Sequence, residues 1–343
     1  GMSAAQPECR LDPDLGLEVL SKVTPADLED TRAMLDKHVC TVELLDTPSR
    51  LHIIVEITGD HHTALAEIRD EHTNIVRVER DGERLFYKEV EQTQDDDAAE
   101  ADLDALNLAD ILEFANTVDL EDIRPTIRRQ IEYNTRIAQE GLTHAYGGRV
   151  GATLMRHYGG DVRVRARALA AAGSDARMGG CVLPVVINSG SGNQGITCSV
   201  PIIVYAKYLS APEDVLYRAL VLSNLTALLQ KRGIGRLSAF CGAVCAACGS
   251  GAGITYLHGG DYDAISRTIT NTLANASGIV CDGAKGSCAA KIATSVDAAI
   301  LGHEMSMDGN TFGAGEGLVK ENVEKTIANI GKMAAEGMRE TDT

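Results

Sequence analysis

Four stretches near the start of the chain alternate apolar and polar residues with a period near two: "CTVELL", "RLHIIVEITG", "TNIVRVERDG" and "RLFYKEV". Each reads as a β-strand. The Asp81-Gly82 pair between the last two fits a hairpin turn. Residues 15–36 carry Leu17, Val19, Leu20, Leu28 and Met34 at helical spacing, and "HTALAEIRD" between two strands is expected to form a short helix. Residues 1–91 thus predict a small α/β domain.

The period then lengthens. "QTQDDDAAEADLDAL" is an acidic break, so 92–119 reads as an acidic linker and helix. Ile111, Leu112, Phe114 and Ala115 begin one helix, and Pro125 opens another through Ile127, Ile131 and Ile137. A third starts at Pro212, Glu213 and Asp214 and stops at Lys231, Arg232 and Gly233, with acids first and bases last as the helix dipole prefers. Val319, Val323, Ile327 and Ile330 share one face of a last amphipathic helix. No solenoid repeat occurs. Residues 120–343 predict a mainly helical domain, and the fold class is α+β.

Charge and composition narrow the partners. Acidic residues outnumber basic ones 49 to 32, a formal charge of −17. A surface of that sign repels phosphate backbones, so no nucleic-acid partner is expected. Gly1 before Met2 has the form of a tag-removal scar and is left out of fold reasoning. The chain shows no secretory pattern, which predicts a cytoplasmic location. Met178–Ala206 is long and uncharged, but Pro184, Pro201, Asn188, Asn193 and Gln194 interrupt it. Such groups are not tolerated in lipid, so the stretch is expected inside protein and no membrane partner follows. The nine cysteines are expected to be reduced thiols.

Four constellations carry chemistry. In "CGAVCAAC", Cys241, Cys245 and Cys248 fall on one helical face; the small neighbours favour a core helix over a zinc site. In "GIVCDGAKGSC", Cys281 and Cys288 flank a Gly-rich polar loop that can hold a metal or simply pack. In "NSGSGNQGIT", a Gly/Ser-rich loop with Ser189, Ser191, Gly192, Asn193 and Gln194 either cradles a carboxylate or serves as a structural turn. It is similar to the carboxylate-gripping loop of pyridoxal-phosphate dehydratases. Those enzymes need an upstream lysine, and none lies between Lys88 and Lys207, so no pyridoxal phosphate is expected. In "GSDARMGG", Arg177 either clamps a carboxylate or pairs with Asp175.

Together, "SDARMGG", "NSGSGNQGIT", "RLSAFC", "GIVCDGAKGSC" and "GEGLVKENVEKTIANI" resemble the serine dehydratase-like family that includes the L-cysteine desulfidases. The likeness runs from about "LGLEVL" to the last helix. It implies a [4Fe-4S] cluster on Cys241, Cys281 and Cys288 with one iron open. It leaves Cys181, Cys198, Cys245 and Cys248 without a ligand role. The implied reaction is a lyase elimination on L-serine or L-cysteine, with the "NSGSGNQG" loop on the substrate carboxylate. "EHTNIV" resembles a further family segment, which places His72 and Thr73 at the site.

One departure bears on activity. The family has an earlier segment with a Gly-Cys-Thr-Glu-Pro motif, whose cysteine serves catalysis, and this chain starts after it. Neither Cys9 nor Cys40 has a matching context. The segment is then cut off, supplied by a separate chain, or lost with the activity. The candidate bases are His72, Asp282 and Lys285. The alternative to an enzyme is a non-catalytic cluster-bearing subunit or amino-acid-sensing module, and a homodimer fits either.

Overall fold

The computed structural model describes residues 22–47, 49, 51–70, 74–89, 106–235 and 238–338. The chain divides into two compact units, Gly1–Asp97 and Ala98–Thr343. In the first, α1 (Pro25–Asp36) starts from a capping box in which Thr24 and Asp27 exchange hydrogen bonds. Strands β1 (His52–Thr58), β2 (Thr63–Arg69), β3 (Ile75–Arg80) and β4 (Glu83–Tyr87) form one antiparallel sheet in chain order. The expected hairpin turn is present: Asp81 and Gly82 both take positive φ, at 53° and 81°. Two expectations fail here. "HTALAEIRD" contains strand β2, whose Ala, Leu and Glu prefer helix in isolation but are paired on both sides by β1 and β3. "CTVELL" is not a strand; no neighbour pairs with it, and Val42 and Leu44 are 93% and 100% exposed.

The second unit is helical. It contains α2 (Leu108–Thr117), α3 (Leu120–Thr143), α4 (Val150–Tyr158), α5 (Val162–Met178) and α6 (Gly192–Leu209). It continues with α7 (Glu213–Ile234), α8 (Gly242–Leu257), α9 (Tyr262–Ala276), α10 (Cys288–Met307) and α11 (Val323–Lys332). The two units together make the fold α+β, as the periodicity predicts. Helix α3 starts behind Asp119, whose carboxylate accepts the Glu121 N–H at 3.0 Å, so Pro125 lies inside the helix rather than at its start. There it removes a single backbone bond, the one to the Glu121 carbonyl. The "SDAR" residues are not a loop either. The alanine run before them carries α5 on to Met178, and the turn comes only at Gly179–Gly180.

The core is organised around α8, whose residues 242–255 are all buried. Its composition, "GAVCAACGSGAGIT", presents almost no side-chain bulk, so α6, α7, α9 and α10 pack close around it. Cys245 and Cys248 are fully buried there as small apolar side chains. The Met178–Ala206 stretch supplies the end of α5 and most of α6, which is largely buried. Among the described residues no helix is long and apolar enough to cross a membrane.

Helices α5 to α10 run alternately up and down. Helices α6, α8 and α10 are therefore parallel, and their C-terminal halves meet at Tyr205, His258 and His303. The His258 and His303 rings are 4.6 Å apart, and Tyr205 packs edge-on against both. His303 is 2% exposed and hydrogen-bonds Thr255 at 2.9 Å. Burial, with the nearby His258, lowers its pKa to about 4.

Two tests follow. An unfolded histidine titrates near 6.5, so the unfolded chain binds the extra proton first and stability falls as pH drops from about 6.5 towards 4. His303→Asn should flatten that part of a denaturation-midpoint profile; an unchanged slope would show that His303 does not contribute. Independently, a Cβ on Gly141 would stand 1.8 Å from the Ala172 carbonyl oxygen. Gly141→Ala should therefore push α3 off α5 and cost about 1–3 kcal/mol, read by chemical denaturation.

Candidate functional site

The up-and-down order gathers three connections at one end of the bundle: 179–191, 235–241 and 277–287. These segments and the helix ends beside them hold most of the residues singled out from sequence. Short contacts stitch them together. A Cβ on Gly192 would lie 2.4 Å from Arg177 Nε, and one on Gly242 would lie 2.4 Å from Gln194 Cδ. Phe240 and Val280 form an isolated antiparallel bridge. Across it the Cys241 N–H donates to the Ile279 carbonyl at 2.9 Å and the Cys281 N–H to the Ala239 carbonyl at 2.6 Å. That bridge sets Cys241 opposite Ile279 and Cys281 opposite Ala239, so the two cysteines are diagonal neighbours on one face of the ladder.

A hydrogen bond joins their thiols. The Cys241 hydrogen bond holds the Cys281 thiol well below its ordinary range, at about 6, and the same bond with burial pushes Cys241 up. Cys288 opens α10. Each of the three sulfurs faces a backbone N–H: Ala243 at Cys241, Gly283 at Cys281, and Lys285 at Cys288, the last at 3.4 Å. Donors aimed at sulfur favour the thiolate.

Three cations surround them. Arg177, at the C-terminal end of α5, feels the Cys288 charge, while burial works against its own ionisation. Among the described residues no carboxylate is paired with it. Lys231 is 8% exposed, and its ammonium donates to the Gly235 carbonyl while acting on Cys281 and Cys245. Lys291 bonds the Val280 carbonyl at 2.9 Å and the Asp282 carboxylate, and its charge acts on both Cys241 and Cys288. Partial burial opposes that charge, but Asp282 outweighs it and the Lys291 pKa rises.

The remaining predicted residues divide. Asn188 and Ser191 exchange backbone hydrogen bonds around Ser189 and Gly190, both at positive φ, so "NSGS" is a tight turn and helix α6 starts immediately after it. Ser191 caps α6 by accepting the Gln194 N–H, and Ser189 donates to the Asn188 side chain. Gly192, Asn193 and Gln194 form the first turn of α6 rather than a loop. Asp175 does not pair with Arg177. It is fully buried and accepts the Gly151 N–H at 3.1 Å, with the Val150 and Gly148 N–H groups also facing it. Burial raises its pKa, and its position makes it the anchor of the start of α4. Asp282 is exposed, its pKa lowered by the Lys291 bond, and Lys285 is exposed on the same loop. His72 and Thr73 lie outside the described residues.

Sequence reasoning missed Lys231 and Lys291. Lys291 had a signal, since it stands three residues after Cys288 and shares its helix face. Lys231 had none beyond its place in a basic helix end. A depression of about 260 Å³, lined by Asn271, Asn275, Leu301, Gly302, Met305 and Phe312, lies elsewhere. Leu301 is thirteen residues along α10 from Cys288, about 20 Å of helix.

Among the described residues no three His, Cys, Asp or Glu side chains group tightly enough for a single metal ion. A cluster is larger than an ion and spreads its thiolates further. Three cysteines with an N–H donor at each sulfur, two of them diagonal neighbours across one bridge, fit that kind of ligand. Three helix N-termini and a partly buried arginine lie at this end of the bundle, where the helix dipoles favour negative charge.

The serine dehydratase alpha chain model matches residues 14–343. A UPF0597 protein of Lachnoclostridium phytofermentans is 54% identical over 331 residues, covering 96% of this chain and 79% of the relative. One from Desulfitobacterium hafniense is 51% identical over 331 residues (95% and 75%), and one from Treponema denticola 47% over 336 (96% and 77%). The chain belongs to the serine dehydratase alpha chain family.

The thiols provide a direct test. In metal-free protein at pH 7, iodoacetamide should modify Cys281 about tenfold faster than the exposed Cys40, because thiolate is the nucleophile. Cys198, Cys245 and Cys248, fully buried, should react only on unfolding. Equal rates at Cys281 and Cys40, read by peptide mass spectrometry, would contradict the hydrogen bond between the Cys241 and Cys281 thiols.

Proposed function

We propose that this site is that of an iron–sulfur-dependent amino-acid lyase, converting L-serine, or L-cysteine with release of sulfide, to pyruvate and ammonia. The observation that carries the reading is Arg177: a partly buried guanidinium with no carboxylate partner among the described residues, pressed on the first turn of α6 and within electrostatic reach of Cys288. A cation so placed has an anionic ligand as its natural counterpart.

Cys241, Cys281 and Cys288 would hold the cluster, which when bound supplies a Lewis acid for the departing β-substituent. Arg177 and the free N–H groups at the start of α6 bind the substrate carboxylate. The N-termini of α6, α8 and α10 favour the negative charge that develops at Cα as its proton leaves. Loss of that proton and of the β-hydroxyl or β-thiol leaves aminoacrylate, which tautomerises and hydrolyses to pyruvate and ammonia. Asp282 and Lys285 are the titratable groups of the Cys281–Cys288 loop. Asp282 spends its carboxylate on Lys291, which weakens it as a base, so Lys285 is the first candidate there.

The test is anaerobic purification with iron and sulfide analysis, followed by pyruvate assays with each amino acid. Wild type should take up iron and turn brown, and Cys281→Ala or Cys288→Ala should abolish the colour. Arg177→Met should keep its iron while kcat/KM falls about 100-fold, the weight of a lost charge-assisted contact. Wild-type protein that takes up no iron would overturn the cluster reading.

A further inference from the structure

Two buried amide oxygens in the first turn of α6 have no hydrogen-bond partner: Asn193 Oδ1 and Gln194 Oε1. Asn193 is 8% exposed. An unpaired buried carbonyl oxygen costs about 1–3 kcal/mol. Elsewhere on the same wall the polar groups are used. Asn134 pairs with the Val186 backbone in both directions and with Ser199, and Asn188 and Gln130 both bond Asn224. Other unpaired buried atoms occur along α3, α5, α7 and α9, at Tyr205 further along α6 and at Ser277; Asn193 and Gln194 are the pair at the N-terminal turn of α6, beside Arg177 and Cys241. Gln194 lies flat against Gly242, the residue after Cys241, and Gly192, one residue before Asn193, carries the Arg177 side chain.

Each polar group at this turn has one sign of demand. Arg177 and the α6 N–H groups ask for acceptors. The amide oxygens of Asn193 and Gln194 ask for donors, and the three cations nearby cannot serve. Lys231 and Lys291 are committed to carbonyls and to Asp282, and no hydrogen bond joins Arg177 to either amide. An α-amino acid offers both kinds of group on one carbon, a carboxylate and an ammonium with three N–H donors. We infer that Asn193 and Gln194 receive the α-ammonium of the substrate, with Arg177 on its carboxylate, so that the site is specific for free α-amino acids over acids lacking the amine. The assignment rests on the amino-acid reading of the site and adds which groups distinguish the amine.

Calorimetric titration of the full chain separates the two levels. The probes are L-serine and 3-hydroxypropionate, which keeps the carboxylate and the β-hydroxyl but has hydrogen in place of the amine. Wild type should bind L-serine on the order of 10–100-fold tighter, the weight of hydrogen bonds to a charged group. Asn193→Leu with Gln194→Met should bring L-serine down to the level of 3-hydroxypropionate and leave the latter unchanged. Arg177→Met should weaken both alike. Asn193→Asp, which keeps an acceptor oxygen and is the milder change, should retain L-serine and weaken 3-hydroxypropionate. Equal affinity of wild type for both probes, or discrimination that survives in the double variant, overturns the ammonium assignment alone. Failure of wild type to bind either probe overturns the amino-acid site and this assignment with it.

Discussion

The close approach of α8 to its neighbours sets the level at which the working groups of this protein lie. A Cβ on Gly249 would meet the Ser223 carbonyl of α7 at 2.4 Å, and one on Gly253 would meet Ile202 of α6 at 2.4 Å. Backbone packed that tightly leaves little room for a helix to slide by a residue. The register of α6 against α8 is therefore fixed, and with it the height of Gly192 against Cys241. A Cβ on Gly251 would meet Ala299 of α10 at 3.1 Å, which extends the same constraint to the helix that Cys288 opens. Groups that come from three separate stretches of sequence share one end of the bundle because the small-residue faces of α8 hold them there.

That packing has an electrostatic consequence. Parallel neighbouring helices bring like ends of their dipoles together, which is unfavourable unless something of opposite sign sits at those ends. At the N-terminal end the thiol of Cys281, whose pKa is lowered by the Cys241 hydrogen bond, can carry that sign as a thiolate. The connections differ between the two ends in the same sense. Those at the thiol end run to 13, 7 and 11 residues, whereas 210–212 and 258–261 at the other end have 3 and 4. Short links only turn the chain, while the long ones have room to carry cysteines, glycines and caps.

How much of this was legible in the sequence depended on whether local pattern or tertiary pairing decided the outcome. The helices announced themselves through caps and periodicity, as at Pro212–Asp214 and in Val323, Ile327 and Ile330. Strand β2 did not, because Thr63–Arg69 is rich in helix formers and becomes a strand only between two partners. The cysteines stood out by spacing, yet their proximity depends on the Phe240–Val280 bridge, which joins residues forty apart and leaves no local trace. Asp175 and Arg177 looked like partners in sequence. On a helix, residues two apart point to different sides, so one caps α4 and the other reaches Gly192.

Arg177, Lys231 and Lys291 stand together at the thiol end of a chain whose formal charge is −17. The overall charge repels polyanions at range, and exposed charges are screened beyond about 8–10 Å. At the site the balance reverses. Buried or half-buried cations, helix N-termini and backbone N–H groups all act within a few ångströms, where solvent screens them least. Small anions that reach this end meet attraction only after passing an acidic surface. The donors at Cys281 therefore belong to the same local field as the three cations, and a change to any of those cations should be felt at the sulfurs.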